Sequence, residues 1–168
     1  FGHSFAAALY FQAIIGAAAV PLSFLFANHF FNQKHSLVVA AVISLHPALS
    51  LHVTRLYSEV IYTPLLLLAL LALMVALKSG DWKHFALAGA LLAVTNLTRP
   101  TAILLPLLLP ILLPFAWSIK HRLLMCLVYG GAMVAVIAPW SYHNYRTYDT
   151  FLPLSVSTAL LWQGSPEF

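Results

Sequence analysis

Residues 60–77 read VIYTPLLLLALLALMVAL, an unbroken apolar run with no charged side chain. A hydrocarbon core takes roughly 17–25 apolar residues of helix to cross, and in lipid a helix satisfies its own backbone donors and acceptors. The run is rich in Leu and Ala and does not alternate with polar residues, so it predicts a helix and not a half-buried strand. Working outward, residues 5–27, 37–53, 101–118 and 123–140 have the same character. Residues 85–97 are short for a span. Trp82 and Lys83 would extend this run, with the lysine ammonium reaching back to the interface; the alternative is a partly re-entrant segment.

The whole chain agrees with this reading. Of its 168 residues 62% are hydrophobic and 7% charged, against roughly 25% charged in soluble domains. The expected fold is all-α, a polytopic transmembrane helical bundle of about six membrane segments, some short or kinked. Residues 1–140 form the membrane module. Residues 141–168, polar, aromatic and punctuated by Pro and Gly, are expected as an extracytoplasmic segment. Pro106, Pro110 and Pro114 recur every four residues, which removes successive helical donors along one face and predicts a kinked or broken helix. Small residues at the same spacing, Ala86 with Ala90 and Gly89 with Ala93, suit close helix packing. The chain starts at Phe1 with no Lys or Arg before its first apolar run, and is expected to be an internal fragment. Cys126 has no partner for a disulfide and no metal-ligand spacing. A net charge of +4 without a basic face excludes nucleic-acid binding.

Charge distribution gives a sidedness. With six crossings, Lys34, Lys78, Lys83, Lys120 and Arg122 fall on one side, and Arg55, Arg99 and Arg146 on the other. Subtracting Asp81 leaves the first side at +4, whereas Glu59, Asp149 and Glu167 cancel the second. The lysine-rich side is therefore expected to be cytoplasmic.

Three polar knots lie on the opposite side: Arg55-Leu56-Tyr57-Ser58-Glu59, Asn96-Leu97-Thr98-Arg99-Pro100, and Trp140-Ser141-Tyr142-His143-Asn144-Tyr145-Arg146. Glu59 opens a helix running to Lys78, and the next segment returns to Arg99, so an antiparallel pair brings Glu59 near Arg99. Ionisable residues at membrane depth usually face a bundle interior or a wet cavity, and arginine suits phosphate through bidentate hydrogen bonds. The plainer alternative for Arg55 and Arg146 is contact with lipid headgroups. Glu59 also sits where the helix dipole favours a carboxylate, with Ser58 as a candidate cap. His46 and His52 lack a ligand spacing that argues for metal. Asn96-Leu97-Thr98 matches a glycosylation acceptor, but reads here as a helix end.

These knots, in this order, resemble the membrane-embedded glycosyltransferases of the C-type (GT-C) fold, especially bacterial relatives of dolichyl-phosphate-mannose protein mannosyltransferase and aminoarabinose transferase. Leu45-His46-Pro47-Ala48-Leu49, followed by Tyr57-Ser58-Glu59 and a Leu-rich helix, is similar to the family's segment in which a carboxylate opens a central helix. The run from Gly89 to Arg99-Pro100 resembles its glycine-led helix ending in Thr and a cation. Ala138-Pro139-Trp140 with Asn144-Tyr145, then Phe151-Leu152-Pro153-Leu154-Ser155 and Trp162-Gln163-Gly164-Ser165-Pro166, is similar to the end of the family's membrane module and its outward loop. The family often has Arg where His143 stands.

The resemblance implies transfer of a sugar from a polyprenyl-phospho-sugar donor to a lipid, glycan or protein acceptor, generally with inversion. It also implies a cell-envelope enzyme in the bacterial inner membrane with its active side extracytoplasmic. Arg99, Arg146, Arg55 and His143 become candidates for the lipid phosphate, and Glu59 a second acid lining the cavity. The principal catalytic carboxylate is expected N-terminal of Phe1. No cofactor is certain; a divalent cation, which Glu59 would help to hold, is the one left open. The alternatives are a polytopic transporter or flippase, which inverted repeats would favour, and a non-catalytic membrane subunit.

Overall fold

The computed structural model describes residues 5–47, 57–149 and 154. Among them every regular element is helical. Helices α1 (Phe5–Ala17) and α2 (Ala19–Ala27) together form one stretch, Ala6–Ala27, long and apolar enough to cross a membrane. They part at Ala18 because Pro21 has no N–H for the carbonyl four residues back, at Ala17, and its ring crowds that carbonyl. Helix α3 (Gln33–Ser44) begins earlier than residue 37, since the Asn32 side chain accepts from the His35 N–H and caps it. It closes at Leu45, so helix is described for only the first part of the expected 37–53 span; the residues from 48 onward lie outside the described residues, as do His52 and Arg55.

Helices α4 (Ser58–Ser79) and α5 (Trp82–Thr98) form a tight hairpin. Gly80 ends α4 in the left-handed conformation at φ 66°, and the Asp81 carboxylate caps α5 by accepting from the Lys83 N–H at 3.0 Å. Both residues are suited to their places: glycine adopts positive φ without penalty, and aspartate is a preferred N-cap. At 1.5 Å per residue α4 is about 33 Å long and α5 about 26 Å. Helix α5 is continuous and reaches the opposite end of α4, so it crosses the bundle and does not turn back as a re-entrant segment would.

Beyond Arg99 the chain returns through residues 100–118, and here the proline spacing has its expected effect. The path is two 3-10 turns, Pro100–Ala102 and Leu105–Leu108, then a single α-helical turn α6 (Leu109–Leu112), ended by extended Leu113. Pro114 cannot donate to the Pro110 carbonyl four residues back; Arg122 Nη2 donates to it instead, at 2.7 Å, while its guanidinium lies 4.8 Å from the centre of the Phe115 ring.

Helix α7 (Ile119–Tyr148) runs parallel to α5. Its start stands by the hairpin turn, where Trp117 lies edge-on to Phe85 and to His121, and its Tyr129 carbonyl touches Gly89. A Cβ on Gly89 would sit 2.2 Å from that oxygen, so only glycine permits this approach. Helix α5 is the most enclosed element: Phe85, Ala88, Gly89, Leu92, Ala93, Thr95 and Asn96 are buried at helical spacing, wedged between α4 and α7. Leu107, Ile111, Phe115, Leu127 and Val134 point outward and are exposed, as expected where the surrounding solvent is lipid.

Helix α7 does not stop where the composition changes. It passes Trp140 and continues to Tyr148, capped by Asp149 at φ 49°. At about 45 Å it is longer than a hydrocarbon core of roughly 30 Å. The change of composition at Ser141 is not an end of helix.

Candidate functional site

The hairpin carries the site. Helix α4 starts where α5 ends, and Glu59 in the first turn of α4 forms an ion pair with Arg99 across that end, from Arg99 Nη1 to Glu59 Oε1. Sequence spacing anticipated this meeting, because a two-residue turn leaves little freedom in how far the return helix can travel. Both side chains are part-exposed, at 40% for Arg99 and 33% for Glu59, so the pair faces a space and is not sealed in the bundle.

Local chemistry fixes each partner. Arg99 is the C-cap of α5, with φ −157° and ψ 120°; the following Pro100 disfavours helical backbone at this residue. Its N–H still bonds to the Thr95 carbonyl at 3.1 Å, so the helix and the proline together aim the side chain out of the bundle axis. Glu59 gains from the helix N-terminus, and its second oxygen, Oε2, accepts from the Ser58 hydroxyl at 3.2 Å. Ser58 is therefore not the cap it was expected to be. The helix begins on Ser58, Tyr57 occupies the cap position without a side-chain bond, and the serine hydroxyl serves the carboxylate.

The other expected residues are distributed differently. His143 and Arg146 are exposed on the last turns of α7, at the same end of the bundle as the ion pair, because α5 and α7 are parallel. The His143 ring lies 6.1 Å from that of Trp140. Neither residue forms an ion pair among the described residues. Arg55 lies outside the described residues, so of the three arginines only Arg99 and Arg146 are placed, at the same end of the bundle.

Sequence reasoning missed an apolar cavity of about 590 Å³ at this end. Ile103, four residues beyond Arg99, forms one side; Met133, Val134, Ile137, Ala138, Ser141, Tyr142 and Tyr145 of α7 form the rest. The helical spacing of 134, 137, 138, 141, 142 and 145 was a signal in the sequence, but nothing there indicated that the proline-broken segment would leave room opposite it. Arg146 follows one turn after Tyr142. A half-buried guanidinium and an apolar cavity at one end of a membrane bundle are chemically suited to an amphiphile with an anionic head.

Among the described residues no three His, Cys, Asp or Glu side chains converge as a metal site requires. Glu59, the acid expected to help hold a cation, has both oxygens engaged by Arg99 and Ser58, and among the described residues no further acid or histidine joins it as a ligand.

Fold and site define an integral membrane protein of packed apolar helices with a carboxylate–guanidinium pair at one end. Residues 1–143 match the family of dolichyl-phosphate-mannose-protein mannosyltransferases, and the chain belongs to it. It is thus a membrane glycosyltransferase chain of the C type, as the knots suggested. Comparison with curated proteins and with solved structures gives no match.

Proposed function

We propose that this chain is part of an enzyme that transfers a sugar from a polyprenyl-phosphate donor to a lipid, glycan or protein acceptor on the extracytoplasmic side, with inversion at the anomeric carbon. The observation that carries the reading is Arg99: a guanidinium held at the bundle's arginine-bearing end, half exposed, four residues from the wall of an apolar cavity. The cavity suits the first isoprenoid units of the donor, and Arg99 its phosphate. Arg146 and Arg55 are proposed as further cations for the same anion, with His143 beside them.

In the reaction the acceptor oxygen attacks the anomeric carbon from the face opposite the phosphate. The bond between that carbon and the phosphate oxygen breaks, and its electron pair stays on the departing polyprenyl phosphate, which gains a negative charge. Preorganised donors at that oxygen lower the barrier because they need no reorientation as the charge develops. Arg99 meets this need through planar, permanently charged N–H donors. The acceptor proton must pass to a base. Glu59 is poorly placed for that role, since its oxygens already accept from Arg99 and Ser58; it lines the site without being assigned as base.

Lysines concentrated at the hairpin turn and at the start of α7 support an orientation with that end cytoplasmic. Two measurements test the proposal in the full-length protein. Replacing Arg99 with Ala should cut transfer from a polyprenyl-phospho-sugar by about 10²–10³-fold, with insertion unchanged; full activity in this variant would defeat the reading. A cysteine at Arg146 should react with a membrane-impermeant maleimide from outside the cell, and one at Lys83 only after permeabilisation. The reverse pattern would overturn the sidedness.

A further inference from the structure

The ion pair uses only part of Arg99. Nη1 is bonded to Glu59, while among the described residues no partner is found for Nε or Nη2. These two nitrogens form one straight edge of the guanidinium, whose parallel N–H bonds match two oxygens of a phosphate. The carboxylate is itself held in place, since its Oε2 accepts from the Ser58 hydroxyl at 3.2 Å. A long side chain at a part-exposed helix end otherwise samples many rotamers. One carboxylate on Nη1 removes that freedom and leaves the opposite edge open.

We propose that Glu59 is the positioning residue of Arg99, anchoring Nη1 so that the Nε–Nη2 edge is presented to the phosphate of a lipid-linked substrate. The inference rests on the reading of Arg99 as a phosphate ligand. It also assigns Glu59 a role that runs through Arg99 and not through the acceptor. Two effects oppose each other here: the carboxylate orients the arginine, but it also repels the incoming phosphate. Orientation prevails because the phosphate edge lies on the far side of the guanidinium from the carboxylate, and the planar cation stands between the two anions.

The test is a double-mutant cycle on the full-length protein in detergent, with farnesyl phosphate as the probe and farnesol, which lacks the phosphate, as the control. Glu59→Gln, which keeps the shape but not the charge, should weaken farnesyl phosphate binding about tenfold, and Glu59→Asp by less. Arg99→Lys keeps a cation without the two-donor edge; it should also weaken binding, and in that background Glu59→Gln should change it less than twofold. Farnesol binding should be the same in every variant, which shows that the fold is intact. If Arg99→Lys and Arg99→Ala bind farnesyl phosphate as the wild type does, the phosphate reading itself fails. If they weaken it but Glu59→Gln has the same effect in both arginine and lysine backgrounds, only the positioning role fails. Tighter binding in Glu59→Gln would make the carboxylate a competitor of the phosphate and overturn the inference.

Discussion

Helix α5 and the segment 100–118 are near neighbours in length and both cross the bundle, yet they solve the same backbone problem in opposite ways. In α5 the carbonyls up to Thr95 are met by N–H groups four residues on, and the stripe from Phe85 to Asn96 is buried against two neighbours. In the segment, prolines at 106, 110 and 114 delete donors, and the chain survives as short turns with a carbonyl satisfied from another helix by Arg122. A membrane offers no water to repair such a gap. The regular crossing is held by one continuous packed stripe; the irregular one is anchored by scattered buried side chains, Ala102, Leu109 and Leu113, with a freed carbonyl met by a long-range hydrogen bond.

If packing holds the first, the largest loss should come where the backbones are closest. Gly89→Leu must displace Tyr129, whose carbonyl oxygen lies 2.2 Å from where a Cβ would stand. Overpacking a tight core costs about 1–3 kcal/mol and more when backbone must move, so this variant should lose the α5–α7 contact, seen as failure to purify as a monodisperse protein in detergent. Normal stability would mean that the contact is not a determinant of the fold.

If the bond from Arg122 repairs the backbone of the second, its loss should be felt locally. Arg122→Ala leaves the Pro110 carbonyl unmatched, a cost of about 1–3 kcal/mol, and should speed hydrogen exchange in residues 107–117 while α4 and α5 stay protected. Adding Pro114→Ala restores an N–H four residues beyond that carbonyl and should recover part of the loss. Equal exchange in the single and double variants would show that the missing proline donor is not what Arg122 replaces.

The same contrast explains what the sequence disclosed. Apolar length marked the spans, and the proline spacing marked the broken one, because both follow from the chain's own backbone. The meeting of Glu59 and Arg99 was legible because the Gly80-Asp81 turn admits little slack. Pro21 carried the signal for the break at Ala18, but a single proline inside a long apolar run is outweighed by the run. The length of α7 was less legible: residues 141–148 are polar and aromatic, which marks a change of composition, whereas none of them is a Gly or Pro that would end a helix. The bond from Arg122 to Pro110 and the cavity opposite Ile103 were not legible at all. Each depends on how two separately formed elements dock, and no local pattern encodes that distance.

The two-residue turn has a consequence that lies at the other end of the hairpin. It works as a ruler: from the lysine-bearing end it measures out two helices so that one carboxylate and one guanidinium arrive together on the far side. A residue gained or lost inside α5 would swing everything beyond it by about 100° and separate them. The outward-facing positions can exchange Leu, Ala and Val among themselves, but the number of residues cannot change, and on that face selection should act on count before it acts on identity.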